Sequence, residues 1–414
     1  MSLSRPVCQI VMHGVLLGQT KVEALQLTPA EVELELNDYR TADTCQITLA
    51  WQTFPFDPRQ WEALGVDVYL GTAAGETLPL SADTILFSGL VDKPQTRASS
   101  DGITMTLACR DFTALFLDWK WQTCITLGTL TQTLRKIVDA VPGASGMQVV
   151  LEGQADVSLT QPGGRTRYSP EKDVDAWTVI TDLVRLAGGV VFVRLNQIVV
   201  SAPANLFKRT PAPVLLWGRD IQSLEYGTEL KSMRHRGVKV ISRDPSSGKV
   251  NSVLYPNSKK TVLGHTRRRV EQTEHFVEWL LHGVPKERLE PIARQIWELQ
   301  ARQQVEGTME TQRLHSVDEE APLWRVRHGS AVRILTPSAV AGQLAALPQE
   351  LAVAQLTQGM FRMRRDVASA FVQAARSLQT ADTPFYVQRA RHRWSGQSGY
   401  ALTVDFVNFI PINP

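Results

Sequence analysis

A chain of 414 residues, 43% hydrophobic and 21% charged, is long enough for more than one packed core and too apolar to remain disordered. Lysine and arginine outnumber aspartate and glutamate by only three, 44 against 41, so no charge imbalance calls for a nucleic-acid or acidic-membrane partner. No apolar run approaches the roughly 18–20 residues of a membrane helix, and the opening MSLSRPVCQIVMHG lacks the basic-then-apolar pattern of a secretory signal. The four scattered cysteines, Cys8, Cys45, Cys109 and Cys124, read as small buried residues in a reducing compartment. The expectation is a protein folded in a cytoplasm, with no membrane insertion.

The first 120 residues carry strand patterns. AEVELELND sets Val32, Leu34 and Leu36 against Glu31, Glu33 and Glu35, and CQITLAW sets Cys45, Ile47, Leu49 and Trp51 on one face. VDVYLG follows, then FSGLVDKPQTRASSDGITMTLACRD, with SSDG as the turn and Ile103, Met105, Leu107 and Cys109 alternating inward. Alternating strands separated by Gly, Asp, Asn and Ser turns predict a small antiparallel β-barrel over residues 1–120.

The period changes near Trp119. TLTQTLRKIVDAV is helical, with Leu130, Leu134, Ile137, Val138 and Val141 on one side and Pro142-Gly143 as the stop. DVDAWTVITDLVRLAGG is a second amphipathic helix, and VVFVRLNQIVVSAP a hairpin turning at Leu195-Asn196. Residues 121–206 therefore form a helix-hairpin module. Strand character returns from Val214, and the chain closes on FYVQRARHRWSGQSGYALTVDFVNFI, where Tyr400, Leu402, Val404 and Phe406 alternate inward. That layout repeats the strand-turn-strand of the first unit. It predicts a second, related barrel from residues 207–255, 307–336 and 384–414. Two insertions interrupt it: a basic loop and helix at 256–306, and a helical insertion at 337–383. The fold class is mixed and β-dominated (α+β).

Catalytic patterns are missing from the sequence: no GxxxxGK[ST], GxGxxG after a strand, GxSxG or HExxH. WSGQSGY spaces its glycines wrongly around Ser398 for a nucleophile elbow and suits a polar hairpin turn. EHFVEWLLH, read as a helix, sets His275, Glu278 and His282 at i, i+3 and i+7. These are weak metal candidates with no fourth ligand placed, and the plain alternative is a helix with polar margins. Basic clusters occur at Lys259, Lys260 and Arg267, Arg268, Arg269; at Arg362, Arg364 and Arg365; and at Arg389, Arg391 and Arg393 with His392. Salt bridges or subunit contacts suit them better than a nucleic-acid stripe, because acidic residues stand beside them. In CRDFTALF, Cys109 reads as core, Arg110 as a partner for a carboxylate on a neighbouring strand or subunit, and Asp111 as the cap of the following helical turn.

The FSG strand, the variable turn, DGITMTLACRD and its apolar helical start, the DVDAWTVITDLVRLAGGVVFV module and the final YVQRARHRWSGQSGYALTVDFVN pair occur in an order that resembles the phage tail baseplate hub family. That family covers contractile-tail hubs, late-control D-type tail proteins and the N-terminal region of type VI secretion spike proteins. The resemblance implies two tube-like barrels per chain, a homotrimer forming a pseudo-sixfold ring, and no enzyme activity, cofactor or metal. Implied partners are the tail tube or its initiator, the central spike, baseplate wedge and tape-measure proteins, with passive contact to DNA in the lumen. The implied location is the virion tail baseplate, assembled in the host cytoplasm. RHGSAVRI departs from the family's Gly-Asp turn, offering Gly329-Ser330 instead. Alternative readings are a type VI spike-like protein, or a metal-dependent cell-wall hydrolase using His275, Glu278 and His282.

Overall fold

The structure is a computed structural model. It describes residues 5–16, 22–37, 41–51, 61–73, 78–100, 102–159, 167–168, 170, 173–202, 213–216, 220–228, 237–243, 249–255, 276–282, 286–300, 305–315, 322–335 and 385–407. The strands begin with β1 (Arg5–Leu16), β2 (Val22–Leu27), β3 (Glu31–Leu36), β4 (Thr44–Trp51), β5 (Trp61–Ala73), β6 (Ile85–Ser99) and β7 (Gly102–Asp111). A short helix α1 (Thr113–Asp118) leads to β8 (Ile125–Thr126), α2 (Leu130–Ala140), β9 (Gln148–Glu152), β10 (Arg167–Tyr168), α3 (Ala176–Leu186), β11 (Val190–Arg194) and β12 (Gln197–Ser201). Then come β13 (Val214–Leu216), β14 (Ser223–Thr228), β15 (Gly237–Arg243), β16 (Val250–Tyr255), β17 (Phe276–His282) and helix α4 (Lys286–Gln300). The chain continues through β18 (Val305–Thr311), a 3-10 turn (Leu323–Arg325), β19 (Ala331–Leu335), β20 (Phe385–Ser395) and β21 (Gly399–Val407).

The chain divides into two units. The first comprises Met1–Ala114, Phe207–Tyr226 and Gly307–Phe406; the second comprises Leu115–Leu206, Gly227–Glu306 and Val407–Pro414.

In the first unit the predicted alternation holds. Val32, Leu34, Leu36, Cys45, Ile47, Leu49, Met105, Leu107 and Cys109 are buried, as are Tyr400, Leu402, Val404 and Phe406. The two expected barrels, however, are not closed and separate. Their strands form one 13-stranded sheet in the order β14-β18-β21-β20-β3-β4-β7-β6-β5-β1-β2, with β19 and β13 attached through β20. The reason lies at β3, which has two edges and gives one to β4 and the other to β20, in antiparallel register from Ala390↔Leu36 to Ser395↔Glu31. The sheet curls so that one core draws on both halves, from Cys8 and Ile10 to Val404 and Phe406. Trp394 on β20 donates its indole N–H to the Pro6 carbonyl on β1 at 3.3 Å, which measures that curl.

In the second unit, α2 begins at Thr129 with a capping box: the Thr129 side chain accepts from the Gln132 amide while Gln132 reaches back to the Thr129 N–H. Asp175 caps α3 through the Thr178 amide at 2.8 Å. The predicted inward faces Leu130, Leu134, Ile137, Val138 and Trp177, Ile180, Leu183, Val184 are buried. The hairpin β11–β12 turns at Leu195, whose φ of 53° is left-handed, and β9 adds to it in parallel.

The division of residues 207–255 departs from expectation. β13 and β14 enter the large sheet, whereas β15 pairs with β16 and β17 in a separate three-stranded sheet. Helix α4 covers that sheet, placing Leu289 and Ala293 on Val238 and Val240. Helix α4 matches the helix expected at 256–306, whereas the helix expected over EHFVEWLLH is strand β17, paired in parallel with β15. The 337–383 insertion lies outside the described residues.

Candidate functional site

The CRD corner closes β7, with Cys109, Arg110 and Asp111 as its last three residues. Cys109 is buried, and burial together with the Asp92 carboxylate pushes its thiol up to about 12. Cys8 and Cys45 are likewise buried and their thiols pushed above the usual range by desolvation. A thiol held neutral is a poor nucleophile, so these are core residues. Cys124 departs from the expectation in being exposed. Arg110 reaches across to β6 and grips Asp92, Nε to Oδ2 at 2.5 Å and Nη2 to Oδ1 at 3.1 Å. A register shift between Val91 and Lys93 supplies the geometry, since a bulge re-aims one side chain of a strand. Asp111 caps α1 as expected, accepting from the Thr113 amide at 3.2 Å and the Thr113 hydroxyl at 2.9 Å.

Asp111 also does something the sequence did not show. It exchanges contacts with Asp43: the Asp111 amide donates to the Asp43 carbonyl at 2.9 Å, and the Asp43 amide donates to Asp111 Oδ1 at 3.2 Å. Both residues are buried. Burial raises the Asp111 carboxyl to about 7 against the hydrogen bonds from Thr113, and raises Asp43 well above the ordinary range, with the Asp111 charge adding to it.

A charged seam runs along the polar face where β20 meets β3. Arg389 bonds Asp405 with its Nε at 2.7 Å and Glu35 with its Nη1 at 3.1 Å. Arg391 lies 3.4 Å from Glu35 and 3.7 Å from Asp405, and Arg393 holds Glu31 at 2.8 Å. On the same face, Glu33, Glu35, Thr44, Gln46, Asp92 and Arg110 line part of a cavity of about 390 Å³. All four of these arginines are thus engaged by carboxylates of the same chain. Of the predicted interface residues, Arg110, Asp111, Arg389, Arg391 and Arg393 are described, while Arg267, Arg268 and Arg269 lie outside the described residues.

Behind the seam, His392 is buried between the Tyr400 hydroxyl at 2.8 Å and the Val326 carbonyl at 2.7 Å. A carbonyl only accepts, so Nε2 carries the proton and Nδ1 accepts from Tyr400. Burial lowers the imidazole to about 4, with Arg327 adding to the effect, and raises the Tyr400 phenol. His392 is a structural neutral imidazole rather than part of a basic cluster.

Of the metal candidates, Glu278 and His282 lie on a strand instead of the expected helix. Phe276–His282 is strand β17, and the i, i+3, i+7 spacing places three side chains on one face only in a helix. His275 lies outside the described residues. Among the described residues no group of three or more His, Cys, Asp or Glu is arranged to hold a metal ion, and no helix is long and apolar enough to cross a membrane. WSGQSGY is the expected hairpin turn, with Gly399 at φ 79°.

By sequence, no family model and no curated protein matches the chain. By structure, the chain shares its fold with phage tail proteins along nearly its whole length. The tail protein from Neisseria meningitidis MC58 superposes with a TM-score of 0.57 at 13% identity, covering 97% of this chain and 96% of that one. The 43 kDa tail protein of prophage MuSo2 from Shewanella oneidensis gives 0.55 at 10% identity, covering 96% and 98%. The prophage tail protein gp18 from Listeria monocytogenes EGD-e gives 0.52 at 11% identity, covering 96% and 94%.

Proposed function

We propose that the chain is a structural hub at the base of a phage tail or related contractile injection machine, and that three copies form a ring between the tail tube and the central spike. The observation that carries this reading is the fold shared end to end with tail proteins, in the element order that the hub resemblance implies. The open sheet supports it. Among the described residues its end strands β2 and β14 each have one neighbour in the sheet order, and an edge left open within one chain can be paired by a neighbour in a head-to-tail ring. The work is done by contacts, and the described arginine groups serve to hold the subunit's shape. Partners would be the tube or its initiator, the spike, wedge and tape-measure proteins.

The test is the mass of the purified protein in solution, alone and mixed with a central spike protein of a phage tail. Three times the 46.0 kDa chain, reached alone or on adding the spike, is the expected result. A monomer under every condition overturns the reading.

A further inference from the structure

The hairpin of β6 and β7 outgrows the sheet it belongs to. β5 accompanies β6 from Ile85 to Leu90, whereas β7 accompanies it as far as Ser99. Past the register shift between Val91 and Lys93, one edge of β6 therefore has no neighbour among the described residues, and every residue from Lys93 to Ser99 is exposed. Alternation still holds along this arm. Gln95 and Arg97 stand opposite Thr106 and Thr104, and Lys93 opposite Ala108, on the polar face of the sheet. Thr96 stands opposite the buried Met105 and shares the core-facing side with Ala98. Core-facing residues that stay exposed mark an arm running beyond the core of its own chain.

Strand β14 lies at one end of the same sheet, with β18 as its neighbour. Leu224 packs against the core, so period 2 turns Ser223 and Glu225 to the polar face and Tyr226 to the core side, where it is 46% exposed. Among the described residues, the Lys93 ammonium, the Arg97 guanidinium and the Glu225 carboxylate have no ion-pair partner. The other end strand, β2, carries Glu23 and no cation, so two end strands brought together would oppose acid to acid.

We propose that the β6 arm of one copy adds as a strand to the free edge of β14 in the next copy, with Arg97, supported by Lys93, facing Glu225. A sheet continued across the two copies must keep its faces aligned, and the alignment sets cations against carboxylate on the polar side. On the core-facing side it lays Tyr226 over Thr96 and Ala98, covering the apolar surface that each chain leaves open. Pro94, which has no amide N–H, ends the stretch that can pair, leaving Gln95–Ser99 to run along Ser223–Tyr226. Arm and edge are different surfaces, so every copy offers one of each and the contact is head-to-tail. This inference rests on the ring reading and names the contact that closes the ring.

The experiment follows self-association of the full chain by mass, in the presence of the spike protein if the wild type requires it, with circular dichroism confirming that each variant is folded. R97E and E225R are each expected to raise the concentration of half-association by about tenfold or more, because like charges then face each other. The double variant R97E/E225R, in which the swapped pair meets at every contact, is expected to return to within about threefold of wild type. Single reversals that leave association unchanged, or a double variant as weak as the singles, overturn this contact while the wild-type trimer keeps the ring reading standing. A wild type that stays monomeric under every condition overturns both.

Discussion

Gly89 shows how much a single residue decides here. A Cβ at this position would lie 2.2 Å from the Arg110 carbonyl and 2.7 Å from the Phe87 ring. The glycine of FSG is thus a point of close backbone approach where β6 crosses the end of β7, and Gly307 repeats the arrangement against the Glu225 carbonyl and the Phe406 ring. His392 is the second such residue. Its imidazole is neutral in the fold and basic once unfolded, so the unfolded state binds more protons between about pH 4 and 6.5. Its contribution is therefore present above that window and lost as pH falls through it, by about 3 kcal/mol in all. The ratio of wild-type to His392→Gln folding constants, followed by acid titration, is expected to fall as pH drops from about 6.5 toward 4, and a ratio that stays flat would contradict the buried neutral imidazole. The glycine could be noticed in the sequence as part of FSG. The histidine could not be separated from its neighbours Arg391 and Arg393, because only the register of β20 turns it inward.

The element that couples the halves is the β20–β3 seam. Glu31, Glu33 and Glu35 alternate on β3, and Arg389, Arg391 and Arg393 alternate on β20, two period-2 triplets of opposite sign. Antiparallel pairing sets Arg391 opposite Glu35 and Arg393 opposite Glu33. Exposed pairs of this kind contribute about 0.2–1 kcal/mol each, so the seam selects register more than it adds stability. A shift of one residue would turn Val32, Leu34 and Leu36 outward. In a double-mutant cycle, Arg393→Ala with Glu31→Ala is expected to give a small coupling that vanishes in high salt, because the pair is exposed. Arg389→Ala with Asp405→Ala is expected to give more, because Asp405 is only 19% exposed. Both triplets were visible in the sequence, but their meeting was not. More than 350 residues separate them, and no local pattern records which strand completes β3. The same nonlocality explains β17. Its apolar residues suited a helix when read alone, and its strand state comes from parallel pairing with β15, a partner more than thirty residues earlier.

For the whole molecule, the consequence of a single sheet is mutual dependence. A fragment of residues 1–114 would leave the β3 edge open and remove Trp394, Leu402 and Val404 from the shared core. It is expected to lack the sharp near-UV dichroism of a packed core and to recover it when the 385–414 peptide is supplied; a fragment that packs cooperatively alone would contradict the shared core. Alternation along β3, β4, β7 and β21, the two amphipathic helices of the 121–206 module, the Leu195 turn and the capping role of Asp111 could be read from the sequence itself. Each rests on contacts between residues a few positions apart, where period, turn chemistry and capping leave one solution. What only the tertiary structure decided was the joining of two half-sheets through β3 and β20, the withdrawal of β15 and β16 into another sheet, and the meeting of Asp43 with Asp111. Those depend on which distant edges pair, and pairing is chosen by burial of the whole core rather than by any short stretch of chain.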